Sequence, residues 1–332
     1  MLRLPSFRYL EPRTLKEALR WKSESGPESM YVAGGTDLYP NMKRRHQEPK
    51  VVISLARIRA LRPKGRSRKA ASGLTLAPMM TLTELVESEG IRESYPVLAR
   101  AAELISTPIL RNMGTLGGNL CLDTRCNYYN QSYEWRKAIN FCLKKDGAIC
   151  WVAPSSPRCW AVNSSDLAPV MVAIGADFLL VGPEGERTVA AADFYQNDGI
   201  DYLSKHPGEI LAEIRVPPRD GWEATYWKLR RRGSFDFPVL GVAAWVRWEE
   251  QKVAEARIVL GAVASQPQPV PEAAAAIIGS RLDDEAIEEA ALAAFRPSKP
   301  MDNTDFGLAW RKEMTRQFVR GALKELRSKL VE

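Results

Sequence analysis

Histidine is nearly absent: His46 and His206 are the only two in 332 residues. Neither sits in a partner pattern, so histidine-based acid–base catalysis and histidine zinc sites are poorly supplied. No apolar run approaches the roughly 18–20 residues that span a bilayer. The first residues, MLRLPSFRYLEPRTLKEALR, put charges and prolines where a signal peptide needs an apolar stretch. The expectation is therefore a cytoplasmic chain with no membrane span. GxGxxG and GxxxxGK[ST] are both missing, which removes the Rossmann fingerprint and the Walker A loop. No nucleophile–base pair, internal repeat or low-complexity segment stands out, so no catalytic residue is assigned. Close C-x2-C pairs are missing as well, although there are five cysteines.

What is present is ordinary in bulk. Hydrophobic content of 45% and charged content of 26% fit a globular chain. The length predicts two or three domains and a substantial core. Net charge is +7. Basic clusters lie at Lys43-Arg44-Arg45, Arg62 to Lys69, Lys144-Lys145 and Arg230-Arg231-Arg232. They read as solvated faces, or as a surface for an acidic partner or anionic ligand. No nucleic-acid motif accompanies them, so no nucleic-acid partner is expected.

The pattern along the chain predicts an α+β fold. A helix is expected over 14–22, with Thr14 as N-cap and Glu17 closing a capping box. Tyr31-Val32-Ala33 reads as a strand, Gly34-Gly35 as a turn, and Thr36 or Asp37 as the next cap. Residues 51–58 read as a strand, and 74–85 as a strand leading to a helix capped by Thr83. A helix is expected over 95–106. Asp166 opens the apolar helix DLAPVMVAIGA, with Pro169 in its first turn. Residues 177–189 read as a hairpin about Gly-Pro-Glu-Gly. The stretches 209–218, 224–231, 239–250 and 253–265 read as one antiparallel sheet, and 271–279, 283–295 and 304–329 as helices.

Two loops could cradle a phosphate. AGGTDL (33–38) follows a strand, and its glycines let successive N–H groups face an anion. GTLGGN (114–119) adds the Thr115 hydroxyl and the Asn119 amide. Each alone could be a plain turn, but together they favour a bound pyrophosphate. Asp166 is either a helix cap or an acceptor for a ribityl hydroxyl or a flavin N–H.

YVAGGTDL, LAPMMTLTEL, NMGTLGGN, SSDLAPVMVAIGA, EILAEIRVPP and KLRRRGSFDFPVLGVAA occur in this order over essentially the whole chain. This series resembles the flavoprotein subunits of the xanthine dehydrogenase and carbon monoxide dehydrogenase family of molybdenum enzymes. The resemblance implies a two-subdomain FAD-binding domain of the PCMH or CO dehydrogenase flavoprotein type. That domain would cover 1–185, with subdomains at about 1–57 and 58–185. A C-terminal antiparallel sheet with helices would cover 186–332. By position, FAD would be held by Tyr31, Val32, Ala33, Gly34, Gly35, Thr36, Asp37 and Leu38. Thr115, Gly118 and Asn119 would form the second loop, with Ile105 and Asp166 near the flavin. Leu211 and Lys228 would close the site, Lys228 being otherwise an exposed strand lysine.

Between Asn119 and Asp166 lie 46 residues, more than most such subunits carry there. They hold Cys121 and then Cys126, Cys142, Cys150 and Cys159, spaced C-x15-C-x7-C-x8-C. Tyr128, Tyr129, Tyr133, Trp135, Phe141, Trp151 and Trp160 lie among them, as a shield for a metal centre or as a local core. Zinc, an iron–sulfur cluster and inert buried thiols all remain open on spacing alone. The placement and spacing resemble the β subunits of 4-hydroxybenzoyl-CoA reductases. This implies a [4Fe–4S] cluster in an insertion at about 121–161, held by Cys126, Cys142, Cys150 and Cys159. Cys121 would be a small buried side chain. Lys144 and Lys145 would add positive field nearby, or form a solvated turn.

The resemblance further implies electron transfer from ferredoxin through [4Fe–4S] and FAD to partner subunits. Those would be a small [2Fe–2S] subunit and a large molybdopterin subunit, assembled as a dimer of heterotrimers. The reaction would be reductive dehydroxylation of 4-hydroxybenzoyl-CoA to benzoyl-CoA, in anaerobic aromatic degradation. The alternative is a FAD subunit of another molybdenum hydroxylase acting on an aromatic or N-heterocyclic substrate.

Overall fold

The computed structural model describes residues 3–63 and 73–331. Residues 64–69 of the basic stretch expected from Arg62 to Lys69 lie outside them. Strands β1 (Arg8–Leu10), β2 (Ser29–Val32) and β3 (Val51–Ser54) form a parallel sheet in the order β1-β3-β2. Parallel neighbours need a crossover, and the helix Leu15–Ser25 supplies the first. Thr14 caps it, accepting from the Glu17 N–H at 3.1 Å. The capping box is not closed, because the Glu17 carboxylate takes the Arg13 N–H at 2.8 Å, one residue too early. In the middle strand, Val52 and Ile53 are both fully buried and enter different apolar clusters. Both faces of β3 are therefore covered, which suits its unbroken apolar run.

A second sheet joins β4 (Leu74–Leu76), β5 (Asp177–Gly182), β6 (Gly185–Ala190) and β7 (Ile210–Val216) in the antiparallel order β4-β7-β5-β6. The β5–β6 hairpin turns at Gly182–Gly185, where Gly-Pro-Glu-Gly placed it. The helix Leu82–Glu87 is capped by Thr81, not Thr83: Thr81 and Glu84 form the full capping box. Thr81-x-x-Glu84 has the required spacing, and the Thr83 hydroxyl donates to Asn112 Oδ1 instead.

The third sheet contains β8 (Trp222–Leu229), β9 (Leu240–Glu249), β10 (Lys252–Gly261) and β11 (Gln268–Pro269), in the order β11-β10-β9-β8. β7 was expected to join these strands, but it pairs with β4 and β5. Pro217 and Pro218 follow it and have no N–H to continue a ladder, so the chain leaves the sheet there. The helices Asp284–Phe295 and Leu308–Val331 cover one face of the third sheet. Its other face meets the helix Leu167–Ile174, whose eight side chains are all buried. A helix apolar all round belongs in a core, and this one lies between the second and third sheets. The residue at its N-terminus is Asp166.

Candidate functional site

The two glycine loops meet at the carboxyl end of β2, the usual ligand end of a parallel strand. A Cβ on Gly34 would lie 1.8 Å from the Met113 carbonyl oxygen, and one on Gly118 would lie 3.7 Å from Ala33 Cβ. Gly35 has φ of +74°, a conformation that suits glycine. Thr115 caps the short helix Leu116–Leu120, accepting from the Gly118 N–H at 3.1 Å. Asn119 Oδ1 accepts from the Ser165 hydroxyl at 2.7 Å, tying this loop to the start of the Asp166 helix.

These elements open onto a cavity of about 830 Å³, within the range of cofactor pockets. Tyr31 to Leu38, Ile105, Thr115, Gly118, Asn119, Asp166 and Leu211 all line it; Lys228 does not. The chemistry of the lining suits a dinucleotide. Lys22, Arg44 and Lys205 provide cations for a pyrophosphate, and Val32, Leu38, Ile105 and Leu211 provide apolar walls for rings. Burial holds Lys22 and Lys205 below the usual lysine range. The Ser164 hydroxyl, also in the lining, is buried without a protein partner.

Asp166 is not a helix cap by side chain. Its Oδ1 accepts from Tyr226 at 2.8 Å and its Oδ2 from Lys228 at 2.9 Å. Burial pushes its carboxyl up, while Lys228 and Tyr226 pull the other way. The Lys228 side chain is 1% exposed, and also donates to the Leu104 carbonyl at 2.9 Å. It is no exposed strand lysine: it lies behind the cavity wall and locks β8 to the segment that ends in Ile105. Lys228→Met leaves Asp166 without its cation and should cost about 3 kcal/mol, read by chemical unfolding. Lys228→Met/Asp166→Leu should recover much of that, and a loss below about 1 kcal/mol in the single variant would contradict the lock.

Three features carried no assignment in the sequence reading. Tyr226 completes the Asp166 pair. Arg125 pairs with Asp37, donates to Asn41 Oδ1 at 3.1 Å and lies 4.9 Å from the Phe237 ring centre. Asp37 is thus spent on Arg125 rather than on capping the helix Leu38–Lys43. Finally, Arg232, Phe235, Asp236 and Phe237 line the cavity mouth. They belong to KLRRRGSFDFP, a segment in which the resemblance gave a role to Lys228 alone.

The cysteine insertion is a closed loop. Arg125 N–H donates to the Val162 carbonyl at 2.8 Å, and Val162 N–H returns to the Arg125 carbonyl at 2.7 Å. Inside, Cys126, Cys142, Cys150 and Cys159 line one small cavity of about 10 Å³. Each of the four is no more than 6% exposed. Burial pushes the Cys126 thiol up to about 12 and the Cys159 thiol up to about 11. The N–H groups of Tyr128 and Tyr129 point at Cys126, and that of Ala161 reaches Cys159 Sγ at 3.4 Å. Among the described residues, no three His, Cys, Asp or Glu side chains converge as the ligands of one ion would. Cys121 is only half-buried and faces the large cavity, apart from the other four.

Buried polar side chains fasten this loop to the frame. Arg136, 1% exposed, donates to the carbonyls of Arg44 (2.8 Å) and Arg45 (3.0 Å), at the C-terminus of the helix Leu38–Lys43. Carbonyls there favour a cation. His46 stacks on Tyr129 at 4.2 Å and donates through Nε2 to the Gln131 carbonyl. Burial lowers its pKa to about 4, so it is neutral at pH 7. Tyr129 lies in the loop's core, whereas Tyr133, Trp135 and Trp151 are exposed. Lys144 is buried, and Lys145 pairs with Asp146 at 3.1 Å.

The family described as "FAD binding domain in molybdopterin dehydrogenase" matches residues 5–219. "CO dehydrogenase flavoprotein C-terminal domain" matches residues 224–326. The chain is 28% identical to the carbon monoxide dehydrogenase medium chain of Hydrogenophaga pseudoflava, over 96% of each. It is 31% identical to the FAD-binding subunit of an Escherichia coli aldehyde oxidoreductase, over 80% of this chain and 83% of that one. Among solved structures, reconstituted CO dehydrogenase from Oligotropha carboxidovorans superposes with a TM-score of 0.80 at 26% identity, over 98% of this chain and 99% of that one.

Proposed function

The chain belongs to the family of FAD-binding medium subunits of molybdopterin dehydrogenases and CO dehydrogenases, and from that premise we propose that it carries FAD for electron transfer in such an enzyme. The observation that carries this is the cavity of about 830 Å³ built by both glycine loops. Bound there, FAD supplies one- and two-electron chemistry. The loop from Tyr31 to Leu38 together with Thr115, Gly118 and Asn119 would hold its phosphates, Ile105 and Leu211 would face its rings, and Asp166 with Lys228 behind it would fix the wall. Substrate chemistry lies in a large molybdenum subunit, reached through a small [2Fe–2S] subunit. The relatives are named for CO and for aldehydes, so they favour the broad molybdenum hydroxylase reading and leave the substrate open.

A second, finer reading rests on the thiol loop. Four buried soft donors around one void, with N–H groups aimed at two of the sulfurs, suit a [4Fe–4S] cluster. Spreading of the loop must accompany loading, since the void itself is only about 10 Å³. Cys126, Cys142, Cys150 and Cys159 would be the ligands. A ferredoxin donor, a cytoplasmic place and reduction of 4-hydroxybenzoyl-CoA go with this reading. The absorption spectrum of the purified chain tests both. Flavin bands near about 450 nm with a broad Fe–S shoulder are expected. Flavin bands without iron would remove the finer reading, and a colourless chain that takes up no FAD would remove the first.

A further inference from the structure

One wall separates the two cavities, and beside the buried Arg125 it holds the ion pair of Asp123 and Lys144. They are 2.8 Å apart and each side chain is 6% exposed. Asp123 faces the large cavity and Lys144 faces the thiol cavity. Lys144 Nζ also donates to Thr124 Oγ1 at 2.7 Å and to the Gly199 carbonyl at 2.6 Å. It lies 4.9 Å from the Tyr129 ring centre and 5.3 Å from that of Tyr202. Asp123 accepts in turn from the Tyr129 hydroxyl at 3.1 Å and from Gln47 Nε2 at 3.4 Å. Gly199 presses on the thiol side, where a Cβ would lie 2.7 Å from Cys159 Sγ. Each charge has three hydrogen-bond partners, so neither end is free to swing. An ion pair held this way in a dry wall is a dipole of fixed direction, weakly screened. Its positive end points to the sulfurs and its negative end to the large cavity.

We propose that the Asp123–Lys144 pair shifts the potentials of the two redox groups in opposite senses, raising that of the thiolate-held cluster and lowering that of the flavin. The inference rests on the finer reading above, with FAD in the large cavity and iron in the thiol loop. Reduction adds negative charge to either group. The lysine end stabilises that added charge on the cluster, and the carboxylate end disfavours it on the flavin. Lys144 ligates nothing in this scheme; it is a positioning residue acting through its field.

The test is Lys144→Met in the full-length chain, purified with its co-expressed partner subunits. Redox titration is followed by EPR for the cluster and by absorbance for the flavin. With iron and FAD contents unchanged, both midpoints should fall, because the Asp123 carboxylate is left uncompensated, and the cluster's should fall further, being nearer the lost charge. Lys144→Arg should return both towards wild type. Midpoints that stay put or rise, or a flavin midpoint that falls further than the cluster's, overturn the inference. Should Lys144→Met lose its iron, Asp123→Asn is the second variant. It leaves the lysine uncompensated, so both midpoints should rise, and fixed midpoints there overturn the inference equally. A wild-type chain without iron would instead sink the underlying reading, and is measured first.

Discussion

Cys142→Ser should empty the thiol loop: the wild-type chain should hold about four irons and the variant close to none, with FAD content unchanged. Cys142 is 6% exposed and belongs to a small core of five buried residues, Cys126, Tyr129, Cys142, Cys159 and Ala161, with Tyr128 and Val152 packed against them. Three of those five are thiols, so little else holds this core together. Serine keeps the shape but replaces a soft sulfur ligand with a hard hydroxyl that iron binds poorly. Burial pushes the Cys126 thiol up to about 12 and the Cys159 thiol up to about 11, which keeps both protonated at neutral pH. Only a complete ligand set repays their deprotonation, because metal binding and thiolate formation are coupled. Loss of one ligand therefore costs the whole cluster. Cys121→Ser, on the far side of the wall, should leave iron unchanged. Full iron content in Cys142→Ser would refute the ligand assignment.

Gly34→Ala should reduce FAD affinity at least about tenfold, since a single steric conflict of 1.4 kcal/mol already amounts to that factor. The added Cβ would meet Met113 O at 1.8 Å and Met113 C at 2.7 Å. Both atoms are backbone, so no rotamer change relieves the clash. Overpacking among side chains costs about 1–3 kcal/mol, and here the relief must come from parting the two glycine loops. That parting opens the phosphate end of the cavity. The flavin-to-protein ratio after gel filtration measures it, with Gly307→Ala as control, since nothing lies within 4 Å of a Cβ there. Stoichiometric flavin in Gly34→Ala would show that the loops need not touch.

Both glycine loops were legible in the sequence because glycine spacing reports backbone demands locally. So were the four cysteines as a set. What the sequence did not show are the pairings across long separations. Asp166 with Lys228 and Tyr226, and Arg125 with Asp37, join residues that no periodicity links. A buried lysine on β8 reads like an exposed one until its partner is in place. β7 was misplaced for the same reason: an antiparallel strand looks alike in any sheet, and its partners β4 and β5 lie far upstream. Thr83 for Thr81 was a local error, correctable from the Thr81-x-x-Glu84 spacing alone.

The Arg125–Val162 pair has a consequence for descent. Seen from the rest of the chain, residues 126–161 begin and end at one reciprocal pair of backbone hydrogen bonds, as a tight turn would. Closing a longer loop at such a point adds little entropy cost. A change of chain length at this one junction, rather than many scattered substitutions, is enough to separate a subunit with the thiol loop from one without it.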